Sequence, residues 1–267
     1  MTFPEIEKRF NRAMRLSFSR KKFLIAFPTL VLCAVIFLFS RTISLNDAWI
    51  HVSLTFLSIF IASGILLAVG VFLIRIYYHE VKSLKLNIAK ILEKSLEIML
   101  GAAYLSFPLV IIFLILWVLL GIFHFISKIP KLGFIFDSLL AFAPFILIFC
   151  LVVLCFFNAC VLFFVSPSIG LKRQQKLKIV SNVMGRLKTN LFSNILAFII
   201  GALPLMIVAS MLLITLNITN VYSFYGFANV DLVRSFFLSL PICFMLTPFT
   251  IFFFNFAAEM HQLFFKK

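Results

Sequence analysis

Residues 138–165 read SLLAFAPFILIFCLVVLCFFNACVLFFV, and no charged side chain occurs in the run. Residues 171–190 follow as LKRQQKLKIVSNVMGRLKTN, with six positive charges and no negative one. A helix needs about 20 apolar residues to cross about 30 Å of hydrocarbon. In lipid a backbone satisfies its N–H and C=O groups only as a helix or a closed barrel. This run is continuous rather than alternating, so it reads as a helix that spans a membrane. The basic stretch after it then marks the face of the membrane where the helix ends.

Five more runs of the same kind lie at 23–40, 49–74, 99–126, 191–216 and 232–258. The whole chain agrees with them. Of its 267 residues 63% are hydrophobic and 12% charged, with 37 Phe. Soluble domains carry about 25% charged residues and about 45–50% apolar ones. The expected fold class is therefore all-α, a polytopic membrane protein with six transmembrane helices in a single membrane domain, 1–267. The first run has no A-x-A pattern after it and is longer than a signal h-region, so it reads as a retained anchor.

Charge sets the threading. The formal net charge is +15. On a soluble protein that balance suggests nucleic acid. Here the cations sit in short segments between apolar runs, which fits threading and anionic lipid headgroups instead; no nucleic-acid partner is expected. Residues 1–22, 75–98, 166–190 and 259–267 hold twenty Lys and Arg, whereas the alternate loops and the span ends beside them hold only Arg41, Lys128, Lys131 and Arg234. Lys and Arg are retained on the cytoplasmic side. Both termini are thus expected in the cytoplasm.

Three of the basic segments are amphipathic, which predicts three cytoplasmic-side helices. Near the N-terminus Ile6, Phe10, Met14 and Phe18 recur every four residues, with Arg9, Arg12 and Arg15 on other sides. In 75–98 the apolar face is Val81, Leu84, Ile88, Ile91 and Ile98; in 166–190 it is Leu177, Val180, Met184, Leu187 and Leu191. Each precedes a pair of spans, so the chain divides into three units of helix plus hairpin, 1–75, 76–166 and 167–267. The favoured reading lays each apolar face in the acyl boundary with its cations at headgroups; the other packs these helices on protein. On the favoured reading Lys172, Arg173, Lys176, Lys178, Arg186 and Lys188 contact lipid headgroups, at about 1 kcal/mol each near anionic lipid.

Motifs of chemistry are missing: no GxxxxGK[ST], HExxH, GxSxG or GxGxxG occurs. The nine acids fall outside the six apolar runs, so no proton relay at depth is expected. Cys33, Cys150, Cys155, Cys160 and Cys243 lie within apolar runs without a CxxC and read as small buried hydrophobes. His51, His79, His124 and His261 are scattered. No metal, cofactor or enzymatic activity is expected.

The polar residues at depth are Asn158, Asn194 and Asn255. They fit a single layer on the cytoplasmic side. Such amides either bond between helices, at about 0.6 kcal/mol each, or line a substrate cleft; the first is favoured. Pro241 and Pro248 make the sixth span the best candidate for a hinge. Ala197 and Gly201 supply a small-xxx-small contact site on the fifth span.

Residues 163–196, FFVSPSIGLKRQQKLKIVSNVMGRLKTNLFSNIL, carry a resemblance. A span closes on Ser166-Pro167, Ile169 follows, and an amphipathic helix leads through Lys188 and Asn190 into the next span. This is similar to poorly characterised bacterial six-span inner-membrane proteins, grouped with the membrane domain of some glycerophosphodiester phosphodiesterases. That family carries an acid soon after the Pro, where Gly170 and Leu171 stand here. The resemblance implies a bacterial inner-membrane location; with no phosphodiesterase domain in the chain, no such activity transfers.

The function expected is a non-enzymatic membrane scaffold or envelope-maintenance factor, whose partners are membrane lipids with anionic headgroups and a membrane protein or further copies of itself. The alternative is a transporter or channel for a small or lipid-like solute.

Overall fold

Apolar runs of this length leave the chain little choice but helix, and helices are what form. The computed structural model describes residues 3–43, 48–83, 88–127, 129, 142–171, 191–219 and 232–265. Among them there are eight α-helices and no strand. They are α1 (Phe3–Arg15), α2 (Arg20–Ile43), α3 (Ala48–Val81), α4 (Ile88–Ala103), α5 (Phe107–Ser127), α6 (Phe142–Leu171), α7 (Leu191–Ile218) and α8 (Leu232–Phe265). Six of these, α2, α3 and α5 to α8, are long and apolar enough to cross a membrane. The chain is an all-α, multi-pass membrane protein.

Helices α3 and α8 organise the bundle. Each has 34 residues, about 51 Å at 1.5 Å per residue, against the roughly 30 Å of a hydrocarbon core. Both are longer than a crossing requires. Close approach at their crossing needs Gly70: a Cβ there would stand 2.2 Å from the Phe254 ring. The same geometry recurs at Gly170 of α6, against Ile74 and the Val71 carbonyl, and at Gly201 of α7, against Phe163 and Phe256. Ala197, one turn before Gly201, is buried in the same cluster.

The main core lies at the basic end. It gathers Leu73, Ile74 and Tyr77 of α3, Phe163 of α6, Ala197 and Phe198 of α7, and residues 251–254 and 256–258 of α8. Phenylalanine dominates it through edge-to-face pairs such as Phe163–Phe253 at 5.3 Å, each worth about 0.5–1.5 kcal/mol beyond area burial. A smaller cluster of Phe60, Phe113, Leu151 and Leu154 joins α3, α5 and α6 nearer the other end.

Several expectations need correction. The N-terminal amphipathic helix does not present its apolar face to lipid. Ile6, Phe10 and Met14 pack on the main core, and Phe10 meets Phe252 at 4.9 Å and Phe256 at 5.9 Å between ring centroids. A 13-residue helix is marginal alone, and the C-terminal half of α8 provides the surface that it needs. Phe18 leaves that face: it lies in a 3₁₀ turn, Leu16–Phe18, and is 64% exposed. The second amphipathic segment is not one helix. Val81 ends α3, Ser83 takes a φ of 53°, and α4 starts at Ile88. Of the expected face, Ile91 packs on Phe72 and Ile76, and Ile98 on Leu67 and Val71; α4 too lies on protein. The third amphipathic helix falls outside the described residues.

The third span begins later than expected. Helix α4 ends at Ala103, a 3₁₀ turn occupies Tyr104–Ser106, and the crossing helix starts at Phe107. Pro108 explains the restart, because proline is tolerated in a first turn and breaks a helix interior. Pro167, read as the end of the fourth span, instead lies inside α6. The Ser166 hydroxyl donates to the Leu162 carbonyl at 2.6 Å and the Ser168 hydroxyl to the Phe164 carbonyl at 3.0 Å, holding the turns around the carbonyl that proline leaves without a donor. Helix α8 likewise runs through Pro241 and Pro248 without a break. Thr247 donates to the Cys243 carbonyl and Thr250 to that of Leu246.

Candidate functional site: a buried charged girdle at the basic end

Two carboxylates stand near the ends of α3 and α8, and the helix reading carries both into the protein. Glu80 lies one residue before the end of α3; Glu259 lies six before the end of α8. Both lie outside the apolar runs 49–74 and 232–258, as the sequence reading has them, but on helices that continue through Val81 and Gln262, and the Glu259 side chain is 1% exposed.

Glu259 collects donors from two helices. Arg9 Nη1 is 3.0 Å from its Oε2 and 2.6 Å from its backbone carbonyl oxygen. Arg12 Nη1 is 3.4 Å from Oε1. The Tyr77 hydroxyl donates to Oε1 at 2.6 Å. One carboxylate thus ties α1 and α3 to α8. Its burial is tolerable because both oxygens are bonded and two guanidiniums balance the charge. The α1 helix brings Arg9 and Arg12 to one side because residues three apart share a face.

Glu80 anchors the second half. Lys22, fully buried, places Nζ 2.5 Å from Glu80 Oε2. Nζ also donates to the Leu16 carbonyl at 3.2 Å and to Asn255 Oδ1 at 3.3 Å, and lies 4.7 Å from the centre of the Tyr77 ring. Such a count satisfies an ammonium, which has three protons to donate. Ser19 sets the geometry. It is extended, its carbonyl accepts the N–H groups of Lys22 and Phe23, and its hydroxyl donates to Glu80 Oε1 at 3.0 Å. The first turn of α2 is therefore fixed against the last turn of α3.

Asn255 closes the girdle. Its amide nitrogen donates to the Ala13 carbonyl at 3.3 Å and reaches Ser17 Oγ at 3.5 Å, while its oxygen accepts from Lys22. The side chain joins α8 to the α1–α2 corner and is fully buried. Asn158 and Asn194, the other two expected members of a polar layer, are also buried, in α6 and α7. The headgroup candidates Lys172, Arg173, Lys176, Lys178, Arg186 and Lys188 lie outside the described residues.

On the other side of α3, Arg75 donates from Nη1 to Ser95 Oγ at 2.7 Å and from Nε to the Gly170 carbonyl at 3.3 Å, bridging α4 and α6. His261 Nδ1 lies 3.5 Å from Ser168 Oγ. Among the described residues no three His, Cys, Asp or Glu side chains are placed to hold one metal ion.

Sequence reasoning singled out Asn255 and missed Lys22, Glu80, Glu259, Tyr77 and Arg75 as a set. Their one sequence signal is position: each is a polar or charged residue at the end of an apolar span. What the arrangement does chemically is to crosslink α1, α2, α3, α4, α6 and α8 through ionic and hydrogen-bonded contacts. In comparisons of the whole chain, no family model, no curated protein and no solved structure matches it.

Proposed function

We propose that this chain is a non-enzymatic membrane scaffold or envelope-maintenance factor of a bacterial inner membrane. Its two termini face the cytoplasm. It acts through contacts with anionic lipid headgroups and with a membrane protein or further copies of itself.

One observation carries the reading. The amide of Asn255, a polar group that a translocation path could use, is bonded between helices. Asn255 is fully buried, with its amide committed to Lys22, Ala13 and Ser17. A transporter or channel requires such a group to face a polar cavity that reaches the membrane middle. Among the described residues, a cleft between α3, α5 and the turn between α4 and α5 is apolar and is lined by none of the three asparagines. The twenty-to-four division of Lys and Arg between the two sets of loops and the span ends beside them supports the cytoplasmic termini. The resemblance of residues 163–196 supports the bacterial inner membrane.

The test is a solute screen. Asn158→Leu, with insertion verified, leaves uptake by the host cell unchanged on this reading. Loss of uptake of any one solute with insertion intact overturns it in favour of a transporter.

A further inference from the structure

The late start of α5 leaves a space beside the middle of α3. It measures about 480 Å³ and is open to the surface. Its walls are Ile61, Gly64, Ile65 and Ala68 of α3, with Phe107 and Val110 of α5. The 3₁₀ turn sets its depth: Ser106, buried, lies so near Gly64 that a Cβ there would stand 2.9 Å from Ser106 Oγ. Tyr104 and Phe107 flank the mouth, 72% and 59% exposed.

What fills this space follows from where it lies. The α3 and α5 walls belong to segments that cross the membrane, so the surrounding medium is hydrocarbon. Water is a poor occupant, because each molecule needs about 2–4 polar partners and takes about 30 Å³; the lining supplies the hydroxyls of Tyr104 and Ser106 and otherwise apolar side chains. The mouth is continuous with the lipid-facing surface of α5, where Ile111, Leu114 and Ile115 are exposed. An acyl chain enters such a space without losing hydrogen bonds. It gains dispersion contacts on several sides, where a flat helix face offers them on one.

We propose that this cleft is a binding site for one acyl chain of a membrane phospholipid. The small residues Gly64 and Ala68 leave room for the chain, and Tyr104 and Phe107 border its opening. The site needs the membrane-spanning fold alone and stands whether or not the protein is a scaffold.

The test is photolabelling of the full chain in vesicles that contain a phospholipid with a diazirine on one acyl chain, read by peptide mass spectrometry. Preferred residence shows as label on the segments 60–69 and 104–110 at about three times or more the level on the exposed Met206 and Met211 of α7. Ala68→Phe fills the cleft and removes that excess while labelling of α7 stays. Should this variant fail to insert, Ile61→Trp at the mouth serves the same purpose. Equal labelling of the cleft and α7, or an excess that survives a filled cleft, overturns the proposal. So does labelling by a diazirine-bearing free fatty acid where the phospholipid gives none.

Discussion

Arg9 and Glu259, 250 positions apart in the chain, share an ion pair of 3.0 Å at the basic end of the bundle. The contact closes the fold: the first helix is held on the last by a carboxylate that also receives the Tyr77 hydroxyl. Truncating one partner of a buried pair is costlier than the pair itself is worth, because a charge or donor is left without compensation. Glu259→Ala is expected to lower stability by about 3 kcal/mol, the low end for buried pairs because Arg9 and Arg12 keep some access to water. Hydrogen exchange across residues 3–15 should rise in the variant and remain unchanged in α5. Slow exchange in α1 despite the substitution would mean that Phe10 packing alone holds the helix.

Lys22 and Glu80 couple in the same way, with less solvent to soften the loss. Lys22→Met strands the Glu80 carboxylate, and Glu80→Gln leaves a buried ammonium with weaker partners. Each single variant should unfold in detergent at lower temperature than the parent. The double variant should recover part of the loss, with a coupling energy of about 1–3 kcal/mol in a thermal or denaturant cycle. Strict additivity would show that the two charges do not depend on each other.

Packing at the α3–α8 crossing yields a steric prediction. Gly70→Ala introduces a methyl group where the Phe254 ring stands 2.2 Å away. Overpacking of this kind costs about 1–3 kcal/mol. Combining Gly70→Ala with Phe254→Leu should restore part of the loss, since the smaller side chain frees the contact. A neutral Gly70→Ala in a thermal-unfolding assay would mean that the two helices separate more easily than the crossing implies.

Threading has its own test. In a background without the native cysteines, a cysteine at position 131 and one at position 176 should react with an impermeant maleimide from opposite sides of the membrane. Reaction of both from one side contradicts cytoplasmic termini.

Some of this architecture was legible in the chain and some was not, for physical reasons. The six crossings follow from uninterrupted apolar runs matched to one thickness of hydrocarbon, a local property that sequence states directly. Helix restarts are half legible. Pro108 marks the start of α5, but nothing local to Val81 and Ser83 announces that the chain turns there. Pro167 shows the opposite failure, because the Ser166 and Ser168 hydroxyls steady the helix around it and proline does not end it. The charged girdle was least legible. Lys22 reads as one of three cations at a span boundary, and Glu259 as an acid beyond a span. Their burial depends on α1 folding back onto the far end of the chain, which no local pattern encodes. Asn255 was picked out by its depth, yet its partners Ala13 and Ser17 lie on elements that its own surroundings do not name.

Accessibility at position 255 tests most directly whether the interior at the basic end is closed and crosslinked. In the cysteine-free background, Asn255→Cys should resist small water-soluble thiol reagents applied from either side of intact membranes, and react once the protein is unfolded. Rapid modification in the folded protein would reveal a water-filled path at Asn255 and contradict the scaffold reading.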